Sequence, residues 1–98
     1  MVWIIKIRPL AYEDLDDIIL WYDRQRQGLG HNFLIEFDKS VERLRVSPQA
    51  YGIIFNPVRT ICLKRFPYKV LFIINSYEII ILGIVHHKVS NRYLNRYK

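Results

Sequence analysis

Ninety-eight residues suffice for one domain, 1–98, with a single hydrophobic core and little to spare. A composition of 51% hydrophobic and 24% charged residues excludes a disordered chain, and a lone cysteine, Cys62, excludes an internal disulfide or a cysteine-rich zinc site and fits a reducing compartment. The net charge of +6 is unevenly held: residues 1–49 carry seven Lys/Arg against eight Asp/Glu, whereas residues 50–98 carry eight against one, Glu78, which suits a polyanion or an acidic protein partner, or else a solvated basic face.

Val2 to Ile7 is rich in β-branched and aromatic residues and ends at Arg8-Pro9, so it is expected to form a first strand. A helix follows Pro9, because Ala11, Leu15, Ile18, Ile19 and Tyr22 fall on one helical stripe. Glu13, Asp14, Asp16 and Asp17 crowd its opening and Arg24 and Arg26 its end, as the helix dipole favours. Gly28-Leu29-Gly30 breaks the pattern. A second helix then carries Phe33, Leu34, Phe37, Val41 and Leu44 and stops before Pro48, so the pair should form an antiparallel hairpin. From Tyr51 the period changes to two. Val58 to Leu63, Lys69 to Ile74 and Tyr77 to His86 are expected as strands, with Tyr51 to Phe55 a possible short edge strand. The resulting fold class is α+β, in the order β-α-α-β-β-β, with the helical hairpin on one face of a small, mostly antiparallel sheet.

The last strand poses the functional question. Ile79 to Val85 is wholly apolar or glycine, and it runs into His86, His87 and Lys88 and a tail of arginines and tyrosines without an acid. That apolar run is far short of the roughly 20 residues a membrane span needs, and the N-terminus lacks the basic region of a signal peptide, so a cytoplasmic domain without membrane contact is expected. Successive strand residues point to opposite faces, so only one of the two histidines can face a shared cleft. No acid or second ligand pair lies close by in sequence, so neither a metal nor another cofactor is expected. Trp3, Trp21 and Tyr22 sit in core-like patterns. Cys62 is expected as a small buried hydrophobe on its strand. Arg59 could pair with an acid of the first helix, and Tyr68 could pack on the helices or stack on a base.

The stretches AYEDLDDIILWYDRQRQGLGHNFLIEF, VRTICLKRFPYKVLFII and IIILGIVHHK, taken in order, resemble the RelE/ParE superfamily of toxins from type II toxin–antitoxin modules, the plasmid stabilisation proteins. The resemblance covers essentially the whole chain. It implies growth arrest by the toxin and a cognate antitoxin that neutralises it through an acidic, partly disordered segment. Two mechanisms occur in the superfamily. RelE-like members enter the ribosome and cut mRNA without a metal, whereas ParE-like members poison DNA gyrase by binding and are not nucleases.

Metal-free cleavage of RNA needs a proton acceptor for the 2′-OH, positive charge on the scissile phosphate and a proton donor for the leaving oxygen. Aromatic rings grip unstacked bases. In this resemblance Lys69 and Lys88 fall where RelE-like nucleases carry phosphate-binding arginines, His87 near a catalytic histidine, His86 where ParE-like sequences often have one, and Tyr93 near a C-terminal tyrosine. Thr60, Cys62 and Leu63 stand where some nucleases carry strand lysines. The expected toxin is therefore a ribosome-dependent endoribonuclease (an mRNA interferase). Its catalytic candidates are His87, His86, Lys69, Lys88 and Tyr93, and its substrate-binding candidates are Arg59, Lys64, Arg65 and Arg92. The alternatives are a ParE-like gyrase inhibitor and an inactive homologue that only binds its antitoxin.

Overall fold

The computed structural model describes residues 3–97, so Val2, assigned above to the first strand, lies outside the described residues. The chain runs β1 (Ile4–Ile7), α1 (Pro9–Gln25), α2 (Leu29–Val46), β2 (Ile53–Phe55), β3 (Val58–Cys62), β4 (Tyr68–Asn75), β5 (Glu78–His86) and a one-turn α3 (Asn91–Leu94). Single turns of 3₁₀ helix, Pro48–Ala50 and Asn95–Tyr97, precede β2 and follow α3.

One sheet contains all five strands, in the order β1-β5-β4-β3-β2. β1 runs parallel to β5, and the other neighbours are antiparallel. This is the expected α+β architecture, with β2 as the edge strand and α3 as an addition the sequence reading did not contain.

The helical hairpin buries Ala11, Leu15, Phe33, Phe37 and Leu44 against Val70, Phe72, Ile79 and Ile81 on one face of the sheet. Each of the larger side chains among them contributes roughly 1.5–3 kcal/mol when fully removed from water. Gly30, expected in a break, lies in the first turn of α2. A Cβ there would come within 2.5 Å of the Ile19 carbonyl oxygen, so the missing side chain lets the two helices meet. Its N–H donates to Asp23 Oδ1 at 2.8 Å and ties the hairpin at its tip. Gly28, at φ 89°, supplies the left-handed turn before α2.

The opposite face is covered by the chain's last segment, where Leu94 and Tyr97 pack on Val58, Leu71, Leu82 and Val85. A register shift between Leu71 and Phe72, which pair with Gly83 and Ile81, puts a bulge in β5. Ile79 and Ile81 face the helices before it, and Ile84 does so after it. A strictly alternating strand would have turned Ile84 the other way.

Two core expectations are corrected. Trp21 is 52% exposed, because it lies at the margin of the α1 stripe; its ring meets that of Tyr22 edge to face, with centroids 5.1 Å apart. Cys62 is exposed, because strand alternation turns it away from the helical hairpin and pairs it with Lys69 at an end of the sheet. Trp3 and Tyr22 do join the core. No helix among the described residues is long and apolar enough to cross a membrane.

Candidate functional site

The end of β5 is held by α1 and the C-terminal segment together. β1 stops pairing at Ile7, opposite Ile81, and leaves the next stretch of that β5 edge without a strand beside it. Asp14 of α1 takes the strand's place, its Oδ2 accepting from the Ile84 N–H at 3.0 Å. The same oxygen accepts from the Tyr97 hydroxyl at 2.8 Å. One carboxylate thus joins a helix, a strand and the last turn of the chain. Burial is the main influence on Asp14 and pushes its carboxyl above the usual range, against the two hydrogen bonds and the nearby Arg96. Burial, and then the hydrogen bond to Asp14, pushes the Tyr97 phenol well above its ordinary value. The acids that open α1 are therefore not all dipole partners. None lies in the first turn, beyond which that effect fades.

Gly83 makes the arrangement possible. A Cβ on Gly83 would lie 2.5 Å from Tyr97 Cδ1 and 2.8 Å from Cζ, inside the space the ring fills. Asp14, Gly83 and Tyr97 were all missed as a unit in the sequence. The available signal was a lone glycine within an otherwise bulky strand, which marks a close approach.

A hollow opens beside this junction, lined by Asp14, Asp17, Ile18, Tyr68, Ile84, Val85, His86, Val89 and Tyr93. His86 is exposed at the strand end, edge-on to Tyr68 at 5.3 Å between centroids. Its Nδ1 accepts from the Lys88 N–H at 3.1 Å, which places the proton of the neutral ring on Nε2. His87 lies beyond the strand, where its N–H donates to the Pro67 carbonyl at 2.9 Å. Its Nε2 is 3.0 Å from the Tyr68 carbonyl, a group that can only accept, so this nitrogen carries a hydrogen. Tyr93 borders the same hollow, and its hydroxyl accepts from Arg96 at 3.0 Å.

The other predicted residues lie apart. Lys69 pairs with Val85 and faces away from the hairpin. Lys88 is exposed in the turn after the strand. Arg59 donates to the carbonyls of Gln49 at 3.2 Å and Tyr51 at 2.7 Å, and holds the approach to β2 rather than an acid of α1. Arg65 lines a hollow with the start of α2, with Lys64 next to it in the chain, and Arg92 lines another with Ile54 and Phe55 of β2. Tyr68 packs on Tyr22 and Phe33. His86 and Tyr93 thus share one hollow, and Lys69, Arg59, Arg65 and Arg92 do not line it. Among the described residues no group of His, Cys, Asp or Glu is arranged to hold a metal ion.

A helical hairpin on a five-stranded mixed sheet, with the last strand ending in His86 and a short C-terminal cover, defines the class: a RelE/ParE-type toxin fold. The chain is similar to a protein of the chromosomal ParDE toxin–antitoxin system of P. aeruginosa. The two are 27% identical over 87% of this chain and 96% of that one, with a TM-score of 0.77. It shares the fold of the isolated E. coli RelE toxin, at 13% identity over 96% of this chain and 94% of that one and a TM-score of 0.66. The toxin–antitoxin complex RelBE2 of Mycobacterium tuberculosis contains a further likeness, at 16% identity, 88% and 99% coverage, and a TM-score of 0.58. No curated protein sequence matches the chain significantly. Residues 5–90 match the family described as the ParE toxin of the type II toxin–antitoxin system, parDE. The chain belongs to that family: it is the toxin of a type II toxin–antitoxin module.

Proposed function

We propose that this toxin arrests growth in the ParE-like manner, by binding DNA gyrase without cutting a nucleic acid, and that a cognate antitoxin neutralises it. The observation that carries this reading is the sign of the hollow at the end of β5. Two carboxylates, Asp14 and Asp17, line it beside His86 and Tyr93, and its lining includes no lysine or arginine. Cleaving a phosphodiester requires cations where charge develops, and carboxylates there oppose it. Of the cations expected to bind phosphate, Lys69 lies on the opposite face of the sheet and Arg92 lines a different hollow beside β2. Membership of the ParE family and the likeness to a ParDE system at 27% identity support the same reading. Ribosome-dependent mRNA cleavage by His87, His86, Lys69, Lys88 and Tyr93 remains the competing mechanism.

Purified gyrase, relaxed plasmid and the toxin test the proposal directly. Supercoiling should fall and cleaved plasmid should accumulate as the toxin is titrated, while mRNA on programmed ribosomes stays whole. Unimpaired supercoiling together with mRNA cut at the A-site codon would replace this mechanism with the nuclease.

A further inference from the structure

On the sheet face away from the helical hairpin, the C-terminal cover leaves a hollow of about 330 Å³ beside the β2–β3 turn and the end of β1. Phe55, Val58, Ile73, Leu82 and Tyr97 give it an apolar floor and walls, and Arg8 is the one charged residue of the lining. Val58, Leu82 and Tyr97 are buried, so the hollow reaches down to the sheet itself. The Arg8 side chain is exposed and makes no ion pair among the described residues. Its backbone is fixed. The N–H donates to the Ile81 carbonyl at 3.0 Å, and the carbonyl accepts from the N–H groups of Ala11 at 3.0 Å and Tyr12 at 3.2 Å.

We propose that this hollow binds a small amphipathic carboxylate of the fatty-acid type, its alkyl chain on Ile73 and Leu82 and its head group on Arg8. A concave apolar surface with few polar groups, at the low end of the usual range of ligand cavities, suits a small molecule better than a folded partner. A guanidinium without an acid beside it selects a planar oxyanion, which it can grip through two parallel N–H donors. No carboxylate stands in the lining to repel one. The ligand also rests on Tyr97, whose hydroxyl donates to Asp14, so an occupied hollow holds the C-terminal cover on the sheet.

Nucleic acid fits this hollow less well. A strand of phosphates needs a track of cations, and the lining supplies one. Base edges need hydrogen-bond partners, and among the uncharged lining side chains only Asn56 offers them, because the Tyr97 hydroxyl is committed to Asp14. An alcohol or an ammonium on the same alkyl chain would fill the apolar part equally well and forgo Arg8. The head group therefore discriminates.

The test uses the purified full chain, isotope-labelled, with octanoate, octan-1-ol and octylammonium as probes below their micelle-forming concentrations. Octanoate should shift the resonances of Arg8, Val58, Ile73 and Leu82, leave those of Lys39 and Arg65 in place, and slow amide exchange at Leu94 and Tyr97. Octan-1-ol should bind roughly tenfold more weakly and octylammonium more weakly still, because the charge-assisted contact is lost or reversed. From butanoate to octanoate, affinity should rise by up to roughly fourfold per methylene, the most that full burial of one such group gives. Arg8→Gln, at an exposed position, should keep its circular dichroism spectrum, bring octanoate down to the affinity of octan-1-ol and leave the alcohol unchanged. Equal affinity of the wild type for all three probes would overturn the site, whether or not the variant folds. So would unchanged octanoate binding by folded Arg8→Gln, shifts confined to the His86–Arg92 region, or an oligouridine that displaces octanoate. Unchanged exchange at Leu94 and Tyr97 would overturn the link to the C-terminal cover.

Discussion

Replacing Gly83 with alanine should expel the Tyr97 ring from the sheet. The added Cβ would stand 2.5 Å from Cδ1 and 2.8 Å from Cζ, and the strand backbone is fixed there by its pairing with Leu71 of β4, so the ring must leave. Tyr97 is 5% exposed, and returning most of its ring to water costs about 1.5–3 kcal/mol. Its hydroxyl also leaves Asp14, and a hydrogen bond to a carboxylate contributes about 1.5–3 kcal/mol, less whatever water regains at that half-buried group. A destabilisation of about 2–4 kcal/mol follows, a large share of the 5–15 kcal/mol a domain commonly has. Urea unfolding followed by far-ultraviolet circular dichroism measures it. The control is the same change made in a Tyr97→Ala chain, where the ring is already gone. There Gly83→Ala should cost nothing, or stabilise by about 0.4–1 kcal/mol through a stiffer unfolded chain. An equal penalty in both backgrounds would show that Gly83 serves the strand and not the tyrosine, and would refute the account of this junction.

Asp14 gives a pH dependence of definite sign. Its folded carboxyl holds a proton to higher pH than the unfolded value of 3.8, so its contribution to stability is complete below 3.8 and is lost as pH rises through the folded value. Wild type minus Asp14→Asn, by urea unfolding at stepped pH, should fall through that window; a rising difference contradicts the burial of this group. Gly30→Ala pushes a Cβ to 2.5 Å from the Ile19 carbonyl, a backbone atom that cannot swing aside, and should lower the urea midpoint by about 1–3 kcal/mol of stability. Unchanged stability there would mean that the helices have slack. Cys62, exposed in the native fold, should react with a thiol reagent as fast before urea is added as after it; protection would place it back inside. His86→Ala with His87→Ala should leave a folded protein that still arrests growth, and a folded but harmless double variant would favour the nuclease mechanism.

Hydrophobic period alone exposed most of the architecture. The stripe through Ala11, Leu15 and Ile18 and that through Phe33, Phe37 and Leu44 are the two faces that close on the sheet. Alternation of apolar residues located β3, β4 and β5 to within a residue at several of their ends. The parallel pairing of β1 was beyond reach, because strand order depends on which edge closes the core. The site was harder still, for a physical reason. Counting by twos from Ile79 puts His87 on the helix side, but the bulge opposite Leu71 and Phe72 resets the count and turns His86 there instead. The isolated Gly83 in the run from Ile79 to Val85 marks either a bulge or a close approach, and does not say where the count resets. Asp14 resembled one more acid near a helix start, and Tyr97 one more residue of a basic tail. Their meeting joins positions 83 apart and is visible only in the folded chain. The resemblance to the RelE/ParE superfamily carried the class correctly, while the shared fold does not choose the mechanism.

The central claim is that this toxin binds its target and leaves nucleic acid chemistry to it. Inducing the wild-type toxin in growing cells, and following DNA breaks and mRNA ends in the same culture over the first minutes, tests that claim most directly. Gyrase-dependent DNA breaks should appear first, with mRNA intact until translation declines later. Prompt mRNA cleavage at codons in the ribosomal A site, with unbroken DNA, would contradict it.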